Sequence, residues 1–105
     1  MALADRKKRI DLHLPMAVDG RDESGLGFRE ESRTQNISGG GVCFETERHL
    51  PVGGRLALEI RIPEGLQRHF GGHPVYRVKA VVCRVERFEE SKTSRIGARF
   101  LGDTE

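Results

Sequence analysis

Residues 55–62, with the sequence RLALEIRI, alternate large apolar residues with polar or small ones along their whole length. The large apolar side chains occupy every second position, at Leu56, Leu58, Ile60 and Ile62. A period of two is typical of a β-strand that buries one face and leaves the other in water. The segment therefore predicts a strand with one face against a hydrophobic core.

The same alternation occurs at both ends of the chain. Residues 11–19 and 95–100 place their apolar residues on one side of an extended chain, and residues 41–46 do so over a shorter length. Residues 28–35 are polar, which favours an edge strand. Pro15 has no backbone N–H to donate, so it predicts an edge or a local irregularity in the first strand.

The run 75–88 is long, and its apolar face changes sides near residues 81–83, which predicts a β-bulge or bend. No segment shows the 3.6-residue stripe of a helix, and residues 64–70 have room for one helical turn at most. Glycine- and proline-rich breaks separate the six strand-like runs. We therefore predict an all-β fold, a small six-stranded antiparallel β-barrel with little or no helix, because closure removes exposed strand edges.

Composition limits the kinds of partner. The chain has 105 residues, a formal net charge of +2 and no tryptophan, which argues against a general DNA- or RNA-binding protein. Charges begin by Asp5 and no apolar run approaches membrane-spanning length, so we expect a cytoplasmic protein with no signal peptide and no membrane insertion. Cys43 and Cys83 lie in apolar strand-like runs and are expected to be reduced core residues.

A basic run precedes the first strand. We expect residues 1–10 to form a flexible basic arm and residues 11–105 to form the barrel domain. Guanidinium groups form paired hydrogen bonds to phosphate oxygens or to the O6/N7 edge of guanine, and they stack on purines. The run therefore suits a small anionic ligand, and a solvated tail is the alternative. Its members are Arg6, Lys7, Lys8 and Arg9.

A glycine-rich connection lies between two predicted strands, at residues 36–41 with the sequence NISGGG. Asn36 and Ser38 offer side-chain donors and acceptors, and the glycines allow positive φ and close approach of a ligand to the backbone. A tight turn that needs glycine for its geometry alone is the alternative. The segment is not a P-loop, because no Lys-Ser/Thr pair follows the glycines.

Together these two segments resemble the PilZ family of bacterial cyclic di-GMP receptors. That family is marked by Arg-x-x-x-Arg, followed some tens of residues later by Asp/Asn-x-Ser-x-x-Gly. Asn36, Ser38 and Gly41 match the second motif completely. The stretches RIDLHLP at residues 9–15 and IGARFL at residues 96–101 are similar to the start of the family's first strand and to its closing strand.

The first motif departs from the family pattern. With Arg9 as its second arginine, the first arginine falls on Asp5, and the neighbouring Arg6 gives an Arg-x-x-Arg spacing instead. The resemblance implies that Arg6 and Arg9 bind phosphate and the Hoogsteen edge of guanine. Lys7 and Lys8 would add charge but lack the planar fork of arginine.

The resemblance also implies roles for the second motif. Asn36 and Ser38 would hydrogen-bond guanine or a phosphate, and Gly41 would keep the barrel surface bare enough for the purine. The ligand would be cyclic di-GMP, with no cofactor and no metal. The arm would fold over the nucleotide, and the change would pass to an unidentified effector protein or through a homodimer.

One other function competes with this one, and it shares the fold. Asp5 favours a degenerate member of the same fold, which would act as a protein-interaction adaptor and would not bind the nucleotide. An enzyme is not expected, because no nucleophile–base pair or metal-ligand triad can be assembled from the sequence. His69 and His73 are separated by two glycines and lack a third ligand.

Overall fold

A computed structural model of the chain describes residues 10–101. Six strands form a closed antiparallel barrel in the order β1-β2-β3-β6-β5-β4, which confirms the predicted all-β fold. Within residues 10–101, no helix is long and apolar enough to cross a membrane. The strands are β1 Pro15–Arg21, β2 Gly27–Ile37, β3 Gly41–Thr46, β4 Arg55–Arg61, β5 Val75–Arg87 and β6 Ser94–Phe100.

Strand β4 shows how the alternating sequence builds the core. Leu58 and Ile60 are almost fully buried, and they lie opposite Val18 and Met16 of β1. Directly opposed side chains of an antiparallel pair point to the same face of the sheet. Each fully buried side chain of this size stabilises the fold by about 1.5–3 kcal/mol relative to exposure. The barrel interior is therefore filled by side chains, and any ligand site has to lie on its outer surface.

The connection between β4 and β5 contains more helix than the sequence predicted. A 3₁₀-helix spans Glu64–Phe70, about two turns at three residues per turn, where one turn at most was expected. It is anchored by the buried Phe70, whose ring lies 5.2 Å from that of Tyr76. Tyr76 in turn contacts Phe100 at the end of β6. The aromatic contact explains why this polar segment stays helical.

The first strand begins later than the alternation suggested. The backbone N–H of Leu14 donates to the hydroxyl of Thr34 at 2.8 Å, and the Thr34 N–H donates to the Leu14 carbonyl at 2.9 Å. Residues 11–14 therefore run beside β2 without regular strand pairing, and Pro15 is the first residue of β1. This is a position where a missing donor is tolerated.

The expected edge strand is wrong for β2 as a whole, because the closed barrel gives it partners on both sides. Its polar part, residues 27–33, pairs with β1. Residues 34–37 pair with β3. Most of the residues predicted as an edge, residues 28–33, thus belong to the half of the strand whose backbone pairs with β1 alone.

Candidate functional site

The turn between β2 and β3 contains the second motif. The Ser38 N–H donates to the Gly41 carbonyl at 3.0 Å, and the Ser38 hydroxyl accepts from the Gly40 N–H at 3.1 Å. Ser38 is only 1% exposed. Its side chain therefore closes the turn from within, and its contact with a ligand remains a prediction.

Gly41 is required by the approach of two strands. A Cβ atom at this position would lie 2.5 Å from the Ala98 carbonyl oxygen on β6, a distance at which backbone atoms have to move. The glycine thus has a structural reason of its own at the start of β3. The predicted role of Gly41 beneath a purine is separate from this reason and remains a prediction.

The start of the described chain lies directly against this turn. Ile10 exchanges two backbone hydrogen bonds of 3.0 Å with Ile37, the residue between Asn36 and Ser38. Ile10 is the last residue of the predicted arm, so the chain reaches the barrel beside the second motif. The predicted ligand-binding residues Arg6, Lys7, Lys8 and Arg9 lie outside the described residues, and their roles remain predictions.

Two β-bulges interrupt the regular alternation on this side of the barrel. In β2 the register shifts between Thr34 and Asn36. In β5 it shifts between Val82 and Arg84, which confirms the bulge predicted near residues 81–83. A bulge inserts one extra residue and re-aims the side chains that follow it. Thr34 and Val82 face the core, so Asn36 and Arg84 are turned to the outer surface.

The register places these two side chains in one row across four strands. Asn36 lies opposite Cys43, Cys43 opposite Gly97, and Gly97 opposite Arg84. We call this set the outer row. Its two middle residues, Cys43 and Gly97, are small, so no bulky side chain of the row stands between Asn36 and Arg84. Three strand spacings of about 4.8 Å separate the ends of the row, roughly 14 Å along the curved sheet.

A second cross-strand row lies two residues away on β3 and β6. Gly41 is opposite Arg99, Arg99 is opposite Val81, and Val81 is opposite Arg55. Arg84 and Gly97 of the outer row and Arg99 of the second row line a groove of about 380 Å³, next to the glycine turn. The residues that line it are Ser38, Gly40, Cys83, Arg84, Gly97, Ala98, Arg99 and Phe100.

The groove presents two arginines that the motifs do not contain. Arg84 is 59% exposed in its side chain, and its Nε lies 3.7 Å from Glu86 Oε2. The guanidinium of Arg99 has no hydrogen-bond or ion-pair partner among residues 10–101. The sequence pattern does not single out these arginines, because each has the position of an ordinary solvent-facing residue in an alternating strand. The predicted bulge near residues 81–83 was the one available signal.

The structure corrects the prediction for one cysteine. Cys43 is buried, with its Sγ 3.6 Å from Gln35 Oε1, whereas Cys83 is exposed and lines the groove. Cys83 is the extra residue of the β5 bulge, and this explains why an apolar run did not bury it. Both thiols are free. Among residues 10–101, no group of three metal-ligating side chains is placed to hold an ion.

A different face of the barrel shows cations that are already paired. Arg29 donates to Asp19 and, at 3.3 Å, to Glu59, and Arg77 lies 3.6 Å from Glu59. The hydrogen bond to Glu59, with the nearby charge of Asp19, raises the pKa of Arg29 above its usual value. The positive charge of this network is largely neutralised by its own carboxylates, unlike that of Arg99.

The structure thus combines a closed six-stranded barrel, a glycine turn between β2 and β3, and a groove lined by two arginines. The profile of the PilZ domain family matches residues 5–105, and the chain belongs to this family. A search of curated proteins returned no match.

Solved structures share the fold. MotI/DgrA, the inhibitor of motility of Bacillus subtilis, gives a TM-score of 0.64 at 24% identity over 90% of this chain. The PilZ domain of YcgR from Escherichia coli with c-di-GMP gives 0.60 at 23% identity over 95% of this chain and 79% of that one. The K. pneumonia MrkH–c-di-GMP complex gives 0.61 at 20% identity over 95% of this chain. The chain spans 40% of the MotI/DgrA structure and 44% of MrkH.

Proposed function

We propose that this chain is a cyclic di-GMP receptor that binds the nucleotide on the outer wall of its barrel. One observation carries the proposal: the pairing of Ile10 with Ile37 brings the chain that follows Arg9 directly against the Asn-x-Ser-x-x-Gly turn. Ile10, the last residue of the predicted arm, therefore lies against the glycine turn, and Ser38 and Gly40 of that turn line the groove. Two of the structurally similar proteins were solved with c-di-GMP, which agrees with this ligand.

The chemistry of the ligand suits the groups available. Cyclic di-GMP has two phosphodiesters and two guanines, and arginine recognises both phosphate oxygens and the O6/N7 edge of guanine. Arg6 and Arg9 supply these contacts from the arm, with charge support from Lys7 and Lys8. Asn36 hydrogen-bonds guanine or phosphate from the barrel wall, beside Ser38 and Gly41. No cofactor takes part.

The output follows from ordering of the arm. Residues before Ile10 close over the bound nucleotide, and this lowers the conformational freedom of the chain. A cytoplasmic effector protein, or a second copy of the chain, then reads the closed form. The ligand shifts this equilibrium only to the extent that it binds the closed form more tightly.

The decisive test is isothermal titration calorimetry of the purified chain with cyclic di-GMP, with GTP as the control nucleotide. We expect saturable binding of cyclic di-GMP alone. Arg9→Ala abolishes it, and Asn36→Ala weakens it about tenfold or more, the loss expected for a hydrogen bond to a charged group. Arg77→Ala removes one exposed arginine from the Glu59 network and leaves the affinity unchanged. Undiminished binding by the Arg9 variant contradicts the proposed clamp.

A degenerate adaptor remains the second candidate, because Asp5 replaces the first arginine of the motif. An adaptor of this kind gives no heat with cyclic di-GMP at any concentration up to the millimolar range. It retains a folded barrel by circular dichroism. The absence of binding heat from a folded barrel would refute the receptor function and support the adaptor function.

A further inference from the structure

We infer that Arg84 and Arg99 form a cationic wall of the nucleotide site and bind the ligand from the β5–β6 side. Neither residue belongs to either sequence motif. The inference rests on the proposed function, and it adds two ligand-binding residues and a specific role for each.

The register gives Arg84 its place. It terminates the outer row that Asn36 begins, and the two small residues between them, Cys43 and Gly97, keep the wall low. Both ends of the row follow a β-bulge, and in both cases the bulge turns outward a polar side chain that regular alternation would aim at the core. Two independent irregularities thus direct polar groups onto the same stretch of outer wall.

The side chain of Arg84 lies across Gly97. A Cβ built on Gly97 would be 3.5 Å from one guanidinium nitrogen of Arg84 and 3.7 Å from its Cζ. The guanidinium is therefore supported from beneath by bare backbone, while most of its side chain faces solvent. A planar cation held in this way offers its outer face for stacking on a purine. Its contact with Glu86, at 3.7 Å and exposed, is too loose to compete strongly with a ligand.

Arg99 serves the phosphate. It lies directly opposite Gly41, the last residue of the second motif, and lines the same groove as Ser38 and Gly40. Among the described residues, nothing neutralises its charge and no carboxylate lines the groove. An unpaired guanidinium beside bare backbone is free to form the two parallel hydrogen bonds that a phosphodiester accepts.

The arrangement also accounts for the altered first motif. Asp5 leaves the arm one guanidinium short of the family pattern. Arg84 and Arg99 add two from the barrel itself, where β-strands fix their positions. Arg84 and Arg99 then bound the site on its β5–β6 side, with Asn36 at the other end of the outer row.

The test is a titration of the whole chain with cyclic di-GMP, comparing wild type, Arg84→Ala, Arg84→Lys, Arg99→Ala and the control Arg77→Ala. Arg77 lies on the same strand as Arg84, roughly 23 Å away at about 3.3 Å per residue. We expect each alanine variant at the groove to weaken binding about tenfold or more, and Arg77→Ala to stay within about twofold. Arg84→Lys keeps the charge but not the planar face, so it stays weak. Circular dichroism shows that every variant is folded.

Cys83 supplies an independent readout, because its exposed thiol lines the groove. We expect saturating cyclic di-GMP to slow the alkylation of Cys83 by iodoacetamide in the wild-type chain at least several-fold, relative to GTP. An unchanged rate despite calorimetric binding places the ligand elsewhere and overturns the inference.

The outcomes separate the inference from the proposed function. If the wild type shows no binding, the receptor function itself fails. If the wild type binds and both groove variants match Arg77→Ala, the receptor function stands and the cationic wall is refuted. Full recovery of affinity by Arg84→Lys refutes the stacking role of Arg84.

Discussion

Gly41→Ala offers the sharpest test of how the barrel is held beside its site. An added Cβ would lie 2.5 Å from the Ala98 carbonyl oxygen, where ordinary contact begins at 3.4 Å. The difference, 3.4 minus 2.5, means that β3 and β6 have to separate by about 0.9 Å at this point. The adjacent hydrogen bond from Phe100 N–H to the Gly40 carbonyl is 2.9 Å long. Widening by this amount takes it outside hydrogen-bond range.

The expected loss follows from that geometry. Weakening about two ladder hydrogen bonds, at about 0.5–1.5 kcal/mol each, lowers the free energy of unfolding by about 1–3 kcal/mol. Overpacking of a tight site gives losses of the same size. A loss of 2 kcal/mol lowers the Tm by roughly 8–16 °C for a domain of this length.

Circular dichroism with urea and with heat measures this loss, since the chain has no tryptophan for fluorescence. The matched control is Gly65→Ala. That residue has open space around its Cβ position and no positive φ, so the control stays within about 0.5 kcal/mol of wild type. If Gly41→Ala is as stable as Gly65→Ala, the close approach of β3 to β6 is not what requires glycine at this position.

Three further predictions concern the anchor of the entering chain, a turn and a thiol. Thr34→Val removes the hydroxyl that accepts from the Leu14 N–H and donates to the Leu12 carbonyl. We expect the free energy of unfolding, measured by urea titration, to fall by about 1–3 kcal/mol. A stability equal to that of wild type would disprove the anchoring role of Thr34. Hydrogen bonds from Ser24 and from a backbone N–H hold the pKa of Asp22 below its usual value of 3.8. The turn between β1 and β2, which contains Asp22, therefore has this support in full above pH 3.8 and loses it as the pH falls through the lower pKa of the folded state. NMR titration of the carboxyl carbon measures that pKa, and Ser24→Ala should raise it. Native alkylation followed by intact-mass analysis should modify Cys83 alone, and modification of both thiols would show that the other one is not protected by the fold.

The fold was largely readable from the sequence because its core strands alternate cleanly. The pattern at residues 55–62 and 95–100 fixed two half-buried strands, and the switch near residues 81–83 located a bulge. The length of the 3₁₀-helix was missed because it depends on Phe70 meeting Tyr76, an aromatic contact between positions on either side of the helix end. The position of β1 was missed because the Thr34 hydroxyl binds the chain before it. The alternation of apolar and polar residues shows which face of a strand is buried, and it carries no information about such long-range hydrogen bonds.

The candidate site was readable only on the side that carries motifs. Asn36, Ser38 and Gly41 stand close together in sequence, so their shared turn was visible as a pattern. Arg84 and Arg99 lie more than forty residues further along, and only the pairing register of β3, β6 and β5 brings them to the same groove. The pairing register of the strands depends on the whole barrel and on its two bulges, so it cannot be predicted from any short stretch of the sequence.

The two bulges keep two polar side chains out of the core. In a regular strand, side chains two positions apart share a face. Asn36 would then follow Thr34 into the core, and Arg84 would follow Val82, both of which are buried. A buried amide or guanidinium without partners costs several kcal/mol, which is more than a local break in one ladder. The extra residues Gln35 and Cys83 avoid this cost, and the same two breaks in the ladder turn Asn36 and Arg84 onto the outer wall of the barrel.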